Sequence, residues 1–566
     1  MKTSLFFYLT LILGLHCSAQ NFRLILKGSN PIETKIIDSL IYNPNHKNTK
    51  SIQNEIERIN KKLLEIGFID TKYDFEVQQN DSSFVSSFQL GEKINFIHIY
   101  IGINPIAKNI PTLMGKEHLK IAYPDINTFL NQTIQLLEQK GFALAQLNLI
   151  NVTRNKDQLY ADLKIDINQQ RILNAIIINI DKKNKKFPTS FAAQINRKYK
   201  NSIFNQSTVK QIYQDFQKFQ FVNQVKYPEI LFTKDSTKVY VYLEQKKSNT
   251  FDGFIGFTNN DSNTIKLNGY ADIDLQNIIG IGERLSIYWK SDGNDQKTFN
   301  ASIEIPYLLK SPLGLKAQIQ LFRQDSTFQN TRTAVDLSYF KNYNTRFYLG
   351  YQTIVSSDIQ NSSDISIGDF KNSFFTSSFN YSKQDSNSLI FPIQTQILLF
   401  AGIGSRQIAN QEIENTKNNQ STFTVFASHN FYLNKKNIIN VQNQSHYLQS
   451  DRYLINELYR FGGFNSIRGF AENSLRGSFT SSLLTEYRYL ISPNLYLHSI
   501  LDYCIYKNQT YTEQKTSINR LLAFGFGFGL QTKNGLLRFA LANGKTENQQ
   551  IKFLNTIAHI SYNVKF

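Results

Sequence analysis

The sequence predicts an exported chain in which small α+β units precede a transmembrane antiparallel β-barrel of about sixteen strands. Three observations carry this. An apolar segment opens the chain and ends in small residues, helical periodicity recurs through the first half at intervals of about 75 residues, and from Phe251 the pattern changes to period two and holds to the last residue. Composition agrees: 44 Phe and 30 Tyr stand against one Trp and two Met in 566 residues. A barrel that crosses a membrane has that profile, because lipid-facing and lumen-facing residues alternate and aromatics gather at both interfaces. Composition alone also fits a large soluble β-protein. No run of about 18 apolar residues follows the first segment, so no helix is expected to span a bilayer.

Residues 1–19 read as a signal peptide. Lys2 supplies the basic start, residues 5–15 the apolar stretch and Cys17-Ser18-Ala19 the small-residue exit, with cleavage after Ala19. A lipid-modified Cys17 is the competing reading, and Leu15 and His16 are poor neighbours for it. Cleavage leaves Cys504 as the one cysteine, which removes internal disulfides and multi-cysteine zinc sites. The formal charge of +18 suits nucleic acid, anionic lipid or acidic partners. Export argues against nucleic acid, and the charge is spread; its densest run, Lys182, Lys183, Lys185 and Lys186, reads as a solvated loop.

Between residues 22 and 247 one unit recurs three times. Ile52, Ile56, Ile59, Leu63 and Ile66 follow helical spacing and stop at Gly67-Phe68, as a helix with a glycine cap should. Ile126, Leu130, Ile134 and Leu137 stop at Gly141-Phe142, and Val209, Ile212, Phe216 and Phe219 run into Gln220-Phe221. Apolar strands start the units at 22–26, 96–101 and 172–178, and alternating strands at 160–167 and 238–244 end two of them. Strand, helical region, strand, strand in about 75 residues resembles the POTRA domain, the periplasmic module of outer-membrane assembly proteins. The expected division is POTRA-like domains at 20–93, 94–169 and 170–248, then a barrel over 249–566. The free sheet edge of such a unit can accept an extended client as an added strand. Lone residues such as His98 and Glu65 read as surface or structural.

The second half holds sixteen alternating segments, starting near Phe251, Thr264, Glu283 and Phe299. An even count puts both barrel ends on the periplasmic side, with turns at Ser492-Pro493-Asn494 and Lys533-Asn534-Gly535. In the last strand Ala558, Ile560, Tyr562, Val564 and Phe566 share the lipid face, and His559, Ser561, Asn563 and Lys565 the other. Its aromatic end resembles the C-terminal signal by which barrels are recognised for insertion. Between strands eleven and twelve, in the sixth outward loop, residues 461–470 frame one arginine with glycines: Gly462, Gly463, Ile467, Arg468, Gly469 and Phe470.

A Gly-Gly-containing Val/Ile-Arg-Gly-Phe/Tyr motif in that loop resembles the outer-membrane assembly superfamily of BamA, TamA and the two-partner secretion transporters. The resemblance implies an acidic residue facing inward from each of the next two strands; Glu486 and Asp502 occupy those places. Cys504 stands where the family often has glycine. Alternation supports the pairing independently: with Tyr487, Tyr489, Leu501 and Tyr503 on lipid, Glu486, Arg488 and Asp502 face the lumen. Asp272 to Glu283 resembles the family's second strand and turn. The glycine row of Phe524-Gly-Phe-Gly-Phe-Gly529 lacks the lysine and helix of a phosphate loop, and reads as a bend or weak seam.

The resemblance implies a nonenzymatic machine of the bacterial outer membrane, with its N-terminal domains in the periplasm and no cofactor or metal. It would receive unfolded outer-membrane or secreted clients and insert or translocate them through the barrel seam or lumen. Outer-membrane lipid and a periplasmic or inner-membrane partner are the other implied contacts. Three repeats match the TamA arrangement better than the five of BamA or the two of secretion transporters. A dedicated secretion transporter or solute pore is the alternative. An outer-membrane esterase is a third reading, against which stands the lack of a Gly-x-Ser-x-Gly elbow.

Overall fold

A computed structural model describes residues 22–74, 77–80, 82–102, 105, 110–180, 187–259, 265–291, 296–324, 327–360, 366–385, 388, 390–408, 417–510, 518–533, 535–547 and 556–565. The leader segment with Cys17, the lysines of 182–186 and Phe566 lie outside them. Two units divide the chain: residues up to 172 with 202–208, and 173–201 with 209–566.

The first unit holds two α+β sheets. Asn30 opens α1 (Pro31–Ser39) by accepting the Glu33 N–H at 2.9 Å, and Asn48 opens α2 (Thr49–Glu65) by accepting that of Ser51 at 2.8 Å. Ile52, Ile56, Ile59 and Leu63 form the buried stripe of α2, which ends at Gly67 in the left-handed region with Phe68 N–H bonded back to Leu63. The stripe packs on Phe22–Gly28, which runs parallel to Ser83–Gln89. In the second sheet Phe96–Tyr100 runs parallel to Gln158–Asp166, and α3 (Ile126–Gln139) buries Ile126, Thr133 and Leu137. That sheet has an added strand, His118–Ala122, antiparallel to Phe96–Tyr100.

The third sheet belongs to the second unit. Leu173–Ile180 runs parallel to Thr237–Gln245, under α4 (Thr189–Tyr199) and α5 (Gln206–Gln217). All three sheets thus share a parallel pairing of their first and last long strands. Asp215 on α5 is buried and accepts from Tyr199 Oη (2.6 Å), Lys218 Nζ (2.6 Å) and Lys198 Nζ (2.7 Å). Burial opposes its charge, but these three donors outweigh burial and hold the carboxyl below its ordinary value. Phe191 of α4 is fully buried against Tyr307 and Tyr343, ring centroids 4.8 and 5.8 Å away, and lies over Gly282, where a Cβ would be 2.0 Å from the ring. Gln194 Nε2 adds bonds to the carbonyls of Lys310 (2.7 Å) and Ser311 (2.9 Å).

Sixteen antiparallel strands close the barrel. They are β1 (Thr250–Asn259), β2 (Ile265–Gln276), β3 (Arg284–Ser291), β4 (Gln296–Ile305), β5 (Leu313–Gln324), β6 (Phe328–Asn342), β7 (Thr345–Asp358) and β8 (Phe370–Gln384), followed by β9 (Ile393–Ile408), β10 (Lys417–Tyr432), β11 (Asn437–Gln449), β12 (Phe479–Ser492), β13 (Leu495–Lys507), β14 (Ile518–Gln531), β15 (Gly535–Thr546) and β16 (Ile557–Lys565). Alternation is clean: on β6 Val335, Leu337 and Tyr339 are exposed outward while Ala334, Asp336 and Ser338 are buried inward. The closing pair is short. Thr250, Phe251 and Asp252 of β1 face Lys565, Val564 and Asn563 of β16, and no further pair joins these strands among the described residues. Asn259 of β1 still pairs with Ile265 of β2, and Ile557 of β16 with Ala542 of β15.

The glycine row does not lie at the seam. Gly525, Gly527 and Gly529 lie within β14, two strands from β16, and face inward; a Cβ at Gly529 would sit 2.1 Å from the Tyr496 ring, and one at Gly527 2.6 Å from His498. Glycine there leaves room for two large side chains of β13 to lie flat on the wall.

Candidate functional site

Residues 450–478 connect β11 to β12 as loop six. The loop carries its own two-stranded ribbon, Tyr459–Phe461 paired with Leu475–Gly477, and the motif lies at the ribbon's tip. Gly462 and Gly463 take φ of 111° and 100°, and the Gly463 N–H bonds the Ile467 carbonyl at 3.1 Å, so the chain folds back before the arginine.

Each motif residue then meets a different part of the wall. Ile467 is fully buried with Phe461, Cys504, Leu521 and Ala523, so the cysteine serves as part of an apolar seat. Gly469 has φ of 79°, and a Cβ on it would lie 2.5 Å from the Asn543 backbone of β15. Phe470 covers Gly544 of the same strand. Phe464, outside the expected motif set, reaches Arg538 of β15 (5.1 Å) and the His559 ring of β16 (5.3 Å).

Arg468 is 4% exposed. Its Nε donates to Asp502 Oδ2 at 2.8 Å, one Nη to Asp502 Oδ1 and the other to Glu486 Oε1; its backbone N–H reaches Asp502 Oδ2 at 3.2 Å. Asp502 is fully buried on β13, between lipid-facing Leu501 and Tyr503. Glu486 on β12 is shared, since Arg488 Nε donates to its second oxygen at 2.7 Å. Two guanidinium groups and two carboxylates therefore form a neutral tetrad, the arrangement in which buried charge is tolerable. Its chemistry is to hold a loop: the fork of Arg468 fixes loop six to β12 and β13 in one orientation.

The sequence reading did not identify Glu457, which lies in the descending limb of the loop with its side chain 3% exposed. It pairs with Arg406 of β9 and accepts from Gln420 of β10 and from Asn372 Nδ2 of β8, the last at 3.2 Å. Alternation places Arg406 in the lumen, but nothing in the loop sequence distinguishes Glu457 from a solvated acid. Ile560 and Tyr562 of β16 are exposed on the outer face, and Ser561 is buried inside. Among the described residues no group of three or more His, Cys, Asp or Glu is placed to hold a metal ion.

Residues 277–556 match the Omp85 superfamily domain. The barrel of this chain is an Omp85 superfamily domain. The structure of CdiB from Escherichia coli superposes with a TM-score of 0.50 at 11% identity, covering 95% of this chain and 99% of that one, which shows the shared fold. CdiB from Acinetobacter baumannii gives 0.49 at 15% identity over 94% and 96% of the two chains. BamA from Haemophilus ducreyi lacking POTRA domains 1–3 gives 0.48 at 16% over 82% and 99%. No curated protein matches the chain. With that domain the chain is a barrel of the outer membrane with POTRA-like domains in the periplasm, and members of the superfamily handle protein clients in assembly or secretion.

Proposed function

We propose that this chain inserts client polypeptides into the outer membrane through the β1–β16 seam, under the control of loop six, and that the domains at 20–93, 94–169 and 170–248 receive those clients as added strands. The observation that carries the reading is the seam of three residue pairs. Beyond it, among the described residues, the facing edges of β1 and β16 have no partner in each other, and in hydrocarbon an unpaired backbone group costs several kcal/mol. A client strand that pairs with either edge removes that cost, which supplies a driving force without nucleotide or covalent chemistry. Loop six supports the reading because its tip touches β15 and β16 through Phe464 while Arg468 holds it to β12 and β13.

Depletion of the chain followed by measurement of the outer-membrane proteome tests this. A broad fall in barrel proteins is expected; loss of one secreted protein with the barrels intact would establish a dedicated transporter instead. Hydrolase activity that survives purification and depends on one serine or histidine would overturn the nonenzymatic part.

A further inference from the structure

We propose that Glu457 and Arg406 form a second latch that positions loop six, separate from the Arg468 tetrad and opposite to it in polarity; the proposal rests on the reading of loop six as the controlling element. At the tip the loop supplies the cation and the wall the anions. At the descending limb the loop supplies the anion, Glu457, and the wall the cation, Arg406. The limb seat is the drier of the two: the Arg406 side chain is fully buried and that of Glu457 nearly so.

The surroundings are built for one carboxylate. Asn372, Arg406 and Gln420 come from three successive strands, β8 to β10, and all donate to Glu457. Gln420 Nε2 also holds Ser450 Oγ at 3.0 Å, at the point where the loop leaves the wall. The neighbouring Asn456 continues the seat onto β6 and β7: it donates to Ser356 Oγ and the Gly368 carbonyl, each at 2.8 Å, and its own carbonyl accepts from Asn330 Nδ2 at 2.6 Å. The limb is therefore fastened along β6 to β10, and the tip on β12 and β13.

Reversed polarity has a physical consequence. A loop held by two cations could slide and exchange its seats; this one cannot, because a shift that carries Arg468 toward Arg406, or Glu457 toward Glu486 and Asp502, sets like charges together in a low-dielectric lumen. The two pairs thus fix the register of the loop as well as its hold. They also divide its release, since losing the Arg468 contacts frees the tip while the limb stays seated.

The test uses the full chain with Arg406→Met, Glu457→Gln, both together, or Arg468→Gln, each checked for a folded barrel by heat-modifiable migration and then reconstituted in planar bilayers. Removing one member of a buried pair leaves the other uncompensated, so Arg406→Met and Glu457→Gln should each raise the fraction of time at high conductance on the order of a hundredfold. In the Glu457→Gln background Arg406→Met should add little, which is the signature of a direct pair. Arg406→Lys, which keeps the charge but must reach Glu457 with a shorter, differently shaped head in place of the single Nη1 contact, should fall between parent and Arg406→Met, and it carries the test should Arg406→Met fail to insert. Openings with Arg468→Gln but none with the Arg406 or Glu457 variants, or effects of the two that simply add, overturn the second latch and leave the loop-six reading standing. Silence of all four variants overturns both.

Discussion

Replacing Arg468 by alanine should leave the barrel inserted but release the tip of loop six. The magnitude follows from which charges are stranded. Glu486 keeps Arg488, whose Nε is 2.7 Å away, so the uncompensated group is Asp502, fully buried and paired with Arg468 in the described structure. Breaking a buried pair from one side costs about 3–5 kcal/mol. The lower figure suits a group facing a lumen that water can enter once the loop moves, and about 3 kcal/mol shifts the released fraction by a factor on the order of a hundred. Limited proteolysis of the reconstituted chain reads the release as new cleavage within 461–470, while heat-modifiable migration reads the barrel, and client assembly should fall in parallel. A second variant separates pinning from mere burial cost: Arg468→Met with Asp502→Leu removes both charges, so folding stability should recover while the loop stays cleavable. Unchanged cleavage and unchanged assembly in Arg468→Ala would refute the reasoning.

Further outcomes follow from the same structure. Cysteines at Phe251 and Val564, directly opposed across the seam, should form a disulfide that stops client insertion, with recovery on reduction; insertion that continues while oxidised removes the seam from the mechanism. Gly469→Ala combines a left-handed backbone with a Cβ 2.5 Å from Asn543, and should destabilise the seated loop by about 2 kcal/mol, seen as partial cleavage between parent and Arg468→Ala. The third sheet and its two helices should lose stability in acid. The Asp215 carboxyl is depressed in the folded state, so its contribution is complete above its unfolded value near 4 and is lost as pH falls through the folded value; Asp215→Asn should flatten that part of the unfolding-versus-pH curve, measured by circular dichroism.

What was legible in the sequence follows from periodicity. The period of two runs unbroken from Thr485 through Tyr489 and again from Leu501 through Tyr503, so Glu486 and Asp502 had an inward address before any coordinates, and a loop arginine flanked by glycines had somewhere to go. Loop six itself has no period. Glu457 meets Arg406 across 51 residues of chain, a distance over which neither spacing nor composition carries information. The phenylalanine that marks the repeat, at 68, 142 and 221, follows α2, α3 and α5, and α4 has no such end; His118–Ala122 has only the two-residue Asn45–His46 as its counterpart in the first sheet, too short to set a pattern. The glycines of β14 were visible, but their reason lies on β13, in the girth of Tyr496 and His498.

The three residue pairs that close the ring all lie at the periplasmic ends of β1 and β16. A long seam fastened along its whole length fails in shear, with every rung loaded at once. A seam fastened at one end is peeled, one rung after another, at a force set by the single rung under tension. Among the described residues the wall of this protein is thus a slit stitched at one end, beside the point where the third sheet leads into the barrel.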